Sequence, residues 1–460
     1  MNNLILMTDS YKFSHGFQYL PDTQGVYSYY ESRKGSQYPY TVFYGLQCIL
    51  KKHLEGEVIT KEKVDEAERL ITMHLGEGMF DRKKWDYIVE KHGGKLPVRI
   101  KAIKEGTVVP TSNALLTVEN TDDNCAWLTN FIETLLTHVW YPTTVATRSR
   151  YAKEMITRYY DETADDKSGI PFALHDFGCR GVESMEAAAI GGSGHLLNFL
   201  GTDTVPALTV PKEWYGEDEN FIAAYSVRAT EHSVMTSRGE EGEFDVVQSL
   251  LDRNPEGILS IVIDSYDYKR FIKTCGTLFH HQIMSRNGRI VFRPDSGDVA
   301  EVSQTVLELL GEYFGYTVNS KGYKVLPTQV RALWGDGIEH DGIEMILELS
   351  KKNGWSAENW VFGMGGGLLQ KMNRDVIRGA FKCSSQKYGN VWHDVWKKPL
   401  DMSKASKRGR LAVVDRNGIT TIREEELAEG ETNLLETVFE NGEMLREQKF
   451  SDIRKLCELK

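Results

Sequence analysis

The sequence predicts an α/β chain built on an irregular parallel barrel, closed or partly closed, with a second, mostly β domain assembled from both chain ends. Two observations predict the barrel. Between about residues 170 and 380, short β-rich runs recur and end in Gly, Asp or Ser clusters: PFALHDFG, LLNFLGTDT, ILSIVIDSYD, RIVFRPDSGD, QVRALWGDG and ENWVFGMGGG. Apolar residues at helical spacing follow several of them, as in VAEVSQTVLELLGEYF after Asp298 and IEHDGIEMILELSKK after Gly337. Repeated β–α units imply a parallel sheet with right-handed crossovers. The third observation, strand patterning on both sides of this region, predicts the added domain.

Residues 60–92 read as helical, with Val64, Ala67, Leu70 and Ile71 among mixed charges. In LPVRIKAIKEGTVVPTSNALLTVE (96–119), Val98, Ile100 and Ala102 alternate with charged residues, as in antiparallel strands. Trp127, Phe131, Leu135 and Val139 lie four apart, on one helix face. Pro142 interrupts, and a second helix is expected from near Thr144. GRLAVVDRNGITTI, after about residue 405, reads as a hairpin turning at Arg416-Asn417-Gly418. The expected division is residues 1–145 with 385–460, and a barrel over 146–384.

The chain has 460 residues, 41% of them hydrophobic and 26% charged, as in a soluble globular protein. A net charge of -11 argues against a general nucleic-acid surface, so any bound phosphate must meet a local basic pocket. No apolar run reaches membrane-spanning length, and the N-terminus does not read as a signal peptide. The six cysteines are scattered without a CxxC pair, which suggests reduced thiols in a cytoplasmic protein.

In a parallel barrel the chemistry gathers at the strand C-terminal ends. Asp264, Asp295 and Asp336 each end one of the runs above. In Arg293-Pro294-Asp295-Ser296-Gly297-Asp298, the Arg can contact an anion with two prongs, and the Asp can hold Mg²⁺ or a ribose hydroxyl. Ser296 or Asp298 could equally cap the next helix. Gly363-Met364-Gly365-Gly366-Gly367 and Gly335-Asp336-Gly337 allow close backbone approach to a phosphate, although a plain tight turn would need the same glycines. Arg374 and Lys382 follow, completing a basic pocket. Asp203 could accept a hydrogen bond from an amide, or could simply cap a turn. His232, in TEHS, has no metal-ligand spacing around it, and a lone His is more often structural.

Taken together the strings TDSYKFSH (8–15), VYSYYESR (26–33), VFYGLQ (42–47), WYPTTVATRSR (140–150), HDFGCRG (175–181), NFLGTDT (198–204), ATEHS (229–233) and SDIRK (451–455) resemble the nicotinamide phosphoribosyltransferase family. The resemblance implies a type II phosphoribosyltransferase fold, an α/β barrel with an added β domain. It implies a homodimer with shared active sites, acting on nicotinamide and 5-phosphoribosyl pyrophosphate with Mg²⁺ and ATP. Phe177 and the Tyr11 of a second copy would sandwich the pyridine ring, and Asp203 would accept the carboxamide NH₂ near Ser260 and Arg293. Arg180, Arg293, Asp295, Gly335, Asp336, Gly365, Gly366 and Arg374 would hold the phosphoribosyl group. Asp264 and Asp295 would face Mg²⁺. Arg33, Lys397 and Lys404 would reach the phosphates from the second copy. His232 would be phosphorylated by ATP, oriented by Glu231 and Asp264. Cys179, Arg228 and Met364 depart from the family's usual residues, and the loop at 34–41 looks short. Nicotinate phosphoribosyltransferase, a non-catalytic dimeric scaffold and an unrelated phosphosugar barrel are the competing readings.

Overall fold

A computed structural model describes residues 3–397 and 405–459, and within it the chain divides into two compact units. The first unit comprises residues 1–147, 210–219 and 372–458; the second comprises 148–209 and 220–371, with the last two residues.

The first unit holds a seven-stranded antiparallel sheet in the spatial order Val391–Asp394, Gly379–Tyr388, Gly25–Ser32, Ala114–Asn120, Val98–Ala102, Glu436–Glu440, Glu443–Met444. The alternation seen around Val98, Ile100 and Ala102 places all three at zero exposure on one face of their strand. Ala114–Asn120 is the central strand, and both it and its neighbour Gly25–Ser32 are buried along their whole length. The helical stretch at 60–92 is two helices, Lys61–Leu75 and Arg82–His92. They are parted where Gly76 and Gly78 take positive φ. Pro142 does not interrupt its helix, which runs Trp140–Thr163. Pro is tolerated in a first turn because its missing N–H would have had no intrahelical acceptor. The hairpin at 411–423 forms as expected, with Asn417 at φ 60° and Gly418 at φ 133° in its turn.

The second unit is a seven-stranded, all-parallel sheet. Its strands are β1 (Leu174–Asp176), β2 (Gly201–Thr202), β3 (Arg228–Ala229), β4 (Glu256–Val262), β5 (Asn287–Arg293), β6 (Val330–Trp334) and β7 (Trp360–Met364), in the spatial order β2-β1-β7-β6-β5-β4-β3. A parallel bridge between Gly201 and Tyr225 brings the segment entering β3 beside β2, so the sheet curls back on itself. Six of these strands come from the six β-rich runs. β3 is short and exposed, with no alternating pattern to mark it. Helices follow where caps allow: Asp267 accepts from Lys269 and Arg270 N–H at the start of Tyr268–Thr277, and Asp298 from Glu301 N–H at the start of Val299–Phe314.

The chain leaves the barrel near Lys371, earlier than the expected 385. The strand Gly379–Tyr388 pairs with Gly25–Ser32 along its whole length, which draws Arg374 and Lys382 into the first unit.

Candidate active site

Adjacent parallel strands in register bring equivalent positions side by side. Val262 of β4 pairs with Arg293 of β5, and Phe292 with Ala332 of β6. Asp264, Asp295 and Asp336 each come two residues after the last residue of their strand, so the three carboxylates converge at one end of the barrel. Asp336 is pushed above the usual carboxylate range, first by burial and then by Asp295 and Asp264.

Asp264 organises this end. Its side chain is 6% exposed. Oδ2 accepts the Asp295 N–H at 2.9 Å and the Ser296 hydroxyl, while Oδ1 has no hydrogen-bond partner and lies 3.4 Å from His232 Nε2. Ser296 thus braces Asp264, and the helix cap is Asp298. Glu231 does not hold the His232 ring; its carboxylate takes the Ser233 hydroxyl. Arg293 donates from Nη2 to the Thr230 carbonyl at 2.6 Å, and its Nε is left without a partner.

Beside this end a cavity of about 320 Å³ opens within the barrel, walled by Phe177, Asp203, Ser226, Ser260, Val291 and Arg293 among others. Phe177 follows β1 and is held by its N–H to the Met364 carbonyl at 3.0 Å. Its ring lies over glycine: a Cβ on Gly363 would fall 2.0 Å from the ring, and one on Gly335 3.2 Å. Two of the glycines first read as phosphate-approach positions therefore make room for an aromatic ring. Gly365 and Gly366 open the short turn beyond, where a Cβ on Gly366 would meet nothing closer than 3.6 Å. Met364 is fully buried, and its side chain packs under the loop, where a Cβ on Gly367 would come 3.2 Å from Met364 Cγ.

Asp203 is exposed, and its Oδ1 accepts the Ser226 hydroxyl, which leaves Oδ2 for a ligand. Ser260 is 2% exposed and its hydroxyl has no partner. Buried polar groups in native proteins are almost always paired. Leaving one unpaired costs about 1–3 kcal/mol. The Ser260 hydroxyl, Arg293 Nε and Asp264 Oδ1 are unpaired groups of this kind at one barrel end, as a site built for a polar ligand requires. Arg180 is exposed on the turn after Phe177. Arg289 and Arg331 line the cavity too; burial lowers both, Arg331 to about 10. Sequence reading missed Phe172, His175, Tyr225, Ser226, Arg289 and Arg331. Only His175, inside the HDFGCRG string with Phe177, carried any signal.

In the first unit, Arg33, Arg374 and Lys397 surround Lys382. Its ammonium is lowered mainly by burial, with Arg33, Lys397 and Arg374 adding to the effect against Glu133. Tyr11 is 58% exposed at the start of the helix Lys12–Gln18. Lys404 lies outside the described residues.

Residues 172–443 match the nicotinate phosphoribosyltransferase (NAPRTase) family, and residues 3–100 match the nicotinamide phosphoribosyltransferase N-terminal domain. The chain is 45% identical to a nicotinamide phosphoribosyltransferase of Xanthomonas campestris pv. campestris, over 99% of this chain and 98% of that one. It is 32% identical to one of Acinetobacter baylyi, over 97% and 95%. By fold it is similar to human nicotinic acid phosphoribosyltransferase, with a TM-score of 0.62 at 14% identity, covering 98% of this chain and 93% of that one. The nicotinate-nucleotide pyrophosphorylase of Pyrococcus furiosus gives the same TM-score of 0.62 at 14% identity, covering 99% and 95%. An enzyme barrel with paired strand-end carboxylates, spanned end to end by such relatives, places the chain in the nicotinamide phosphoribosyltransferase family.

Proposed function

We propose that this enzyme transfers the phosphoribosyl group of 5-phosphoribosyl pyrophosphate to nicotinamide, giving nicotinamide mononucleotide and pyrophosphate for NAD salvage. The observation that carries the reading is the meeting, at one barrel end, of a cavity faced by Phe177, Asp203 and Ser260 with a cluster of Arg293, Asp264, Asp295 and Asp336. The pyridine ring stacks on Phe177, an interaction worth about 0.5–1.5 kcal/mol beyond area burial. Asp203 Oδ2 accepts from the carboxamide NH₂, and the unpaired Ser260 hydroxyl donates to its carbonyl. The ring nitrogen attacks the ribose carbon that pyrophosphate leaves, so the main tasks are in-line placement and stabilisation of departing negative charge. Arg293 faces that charge, with Arg180 on the neighbouring turn. Gly365 and Gly366 let backbone approach the phosphates, and Arg374 and Lys382 remain phosphate-binding candidates.

Asp264 and Asp295 offer hard oxygen donors, one buried oxygen of Asp264 is unpaired, and beyond burial both carboxylates push Asp336 up, a repulsion that a divalent cation would relieve. Asp264 and Asp295 would hold Mg²⁺, which supplies charge neutralisation for the leaving pyrophosphate. His232 is the phosphorylation site through which ATP stimulates transfer; its ring is 49% exposed and backed by Asp264. The working form is a homodimer, in which Tyr11, Arg33, Lys397 and Lys404 of one copy serve the barrel of the other. The exposure of Tyr11 supports this part of the reading.

Nicotinate is the second candidate substrate. Its carboxylate would stand against Asp203, whereas an amide hydrogen bond to a charged acceptor contributes about 1.5–3 kcal/mol. The test is product formation from 5-phosphoribosyl pyrophosphate and Mg²⁺, with either base, with and without ATP. Nicotinamide mononucleotide made selectively, and faster with ATP, is expected. Nicotinate as the better substrate would overturn the role of Asp203, and no product from either base would leave the scaffold reading.

A further inference from the structure

Asp176 ends β1 with zero exposure, and no step of the proposed chemistry touches it. Its Oδ1 accepts the Gly178 N–H at 2.7 Å, which pins the turn carrying Phe177. Its backbone carbonyl accepts the Asp203 N–H at 2.9 Å. Oδ2 sits against the next turn: a Cβ built on Gly192 would lie 3.0 Å from it and 3.2 Å from Thr204 Cγ2. Burial pushes the carboxyl up to about 6, against the Gly178 N–H and the facing Thr204 hydroxyl, which draw it down. Neither Oδ2 nor the buried Thr204 hydroxyl has a hydrogen-bond partner among the described residues. Gly178 is closely packed as well, since a Cβ there would come 2.7 Å from Leu369.

One residue therefore grips two turns. One turn presents the ring that stacks, and the other presents the carboxylate that reads the amide. We propose that Asp176 is a positioning residue for the base site: it sets the Phe177 ring relative to the Asp203 carboxylate, and so governs nicotinamide binding without contacting nicotinamide. The inference rests on the reaction proposed above. Backbone hydrogen bonding alone does not supply this coupling. The Asp203 N–H bond would survive any substitution at 176, but the Gly178 hydrogen bond and the packing of Oδ2 beside Thr204 would not.

The experiment compares Asp176→Ala, Asp176→Asn and Thr204→Val in steady-state kinetics with each substrate varied. Asn keeps an acceptor for Gly178 and the bulk packed beside Thr204, while Ala removes both. Asp176→Ala is expected to raise the nicotinamide KM by about tenfold, as loss of one buried hydrogen bond to a charged acceptor implies. kcat and the KM for 5-phosphoribosyl pyrophosphate should stay within about threefold, and Asp176→Asn should recover most of the loss. An unchanged nicotinamide KM, or an equal rise in both KM values that Asn does not rescue, would overturn the proposal. Should Asp176→Ala fail to fold, Thr204→Val carries the test: a selective rise in nicotinamide KM supports it, and no rise sinks it. A wild-type protein that makes no product would instead refute the reaction. The separation of Phe177 and Asp203 in a crystal structure of Asp176→Asn or Thr204→Val then decides, and positions unchanged from wild type in both would overturn it.

Discussion

His232 Nε2 stands 3.4 Å from Asp264 Oδ1, and the other oxygen of the same carboxylate accepts the N–H of Asp295. A half-exposed imidazole is thereby joined to the carboxylate cluster through one buried side chain. Charge added at His232 would be felt at Asp264 directly. Replacing His232 with Ala should abolish stimulation by ATP while leaving weak basal transfer. Rates measured with and without ATP check this, and equal stimulation in the variant would remove the phosphohistidine role.

Asp203 presents one oxygen to Ser226 and the other to the cavity. Asp203→Asn or Asp203→Ser should narrow the preference for nicotinamide over nicotinate by about tenfold, the lower bound for a charged hydrogen bond. Competition between the two bases measures the ratio. A ratio that does not move means the amide is read elsewhere.

Gly363 carries the Phe177 ring so closely that a Cβ would fall 2.0 Å away. Gly363→Ala should cost about 1–3 kcal/mol through overpacking and shift Phe177. The expected kinetic mark is a raised nicotinamide KM with little change in the KM for 5-phosphoribosyl pyrophosphate. A selective loss of the phosphate substrate would return Gly363 to the phosphate loop.

His195 is wholly buried, with Nε2 donating to the Leu174 carbonyl at 3.2 Å and Nδ1 accepting from Ser149 at 2.8 Å. Burial lowers its pKa to about 3, and lowers that of His340 to about 4. Both are free to charge in the unfolded chain near pH 6.5. Their stabilisation is therefore complete above that pH and is lost as pH falls toward the folded values. Unfolding by urea should show stability declining between pH 6.5 and 4, by on the order of 3 kcal/mol from His195 alone. His195→Gln should flatten part of that slope; an unchanged slope would assign the acid loss to other groups.

The barrel was legible because parallel strands buried on both faces read as apolar runs, and each run ended in residues that a strand cannot continue. Asp264, Asp295 and Asp336 were marked by the same punctuation. β3 was not legible: two exposed residues leave no period to detect. The boundary at 385 failed for a related reason. The run Gly379–Tyr388 looks like any strand, and the choice of Gly25–Ser32 as its partner is made far away in sequence.

By itself the sequence determined which residues could end strands, cap helices and carry charge, and its motifs identified the family. Those are local properties, set by side-chain chemistry and the period of burial. Only the tertiary structure decided that Asp264 would brace Asp295 and face His232, that Gly363 would make room for Phe177, and that Asp176 would hold two turns at once. Each depends on the register between parallel strands, and register is fixed by packing across the whole sheet.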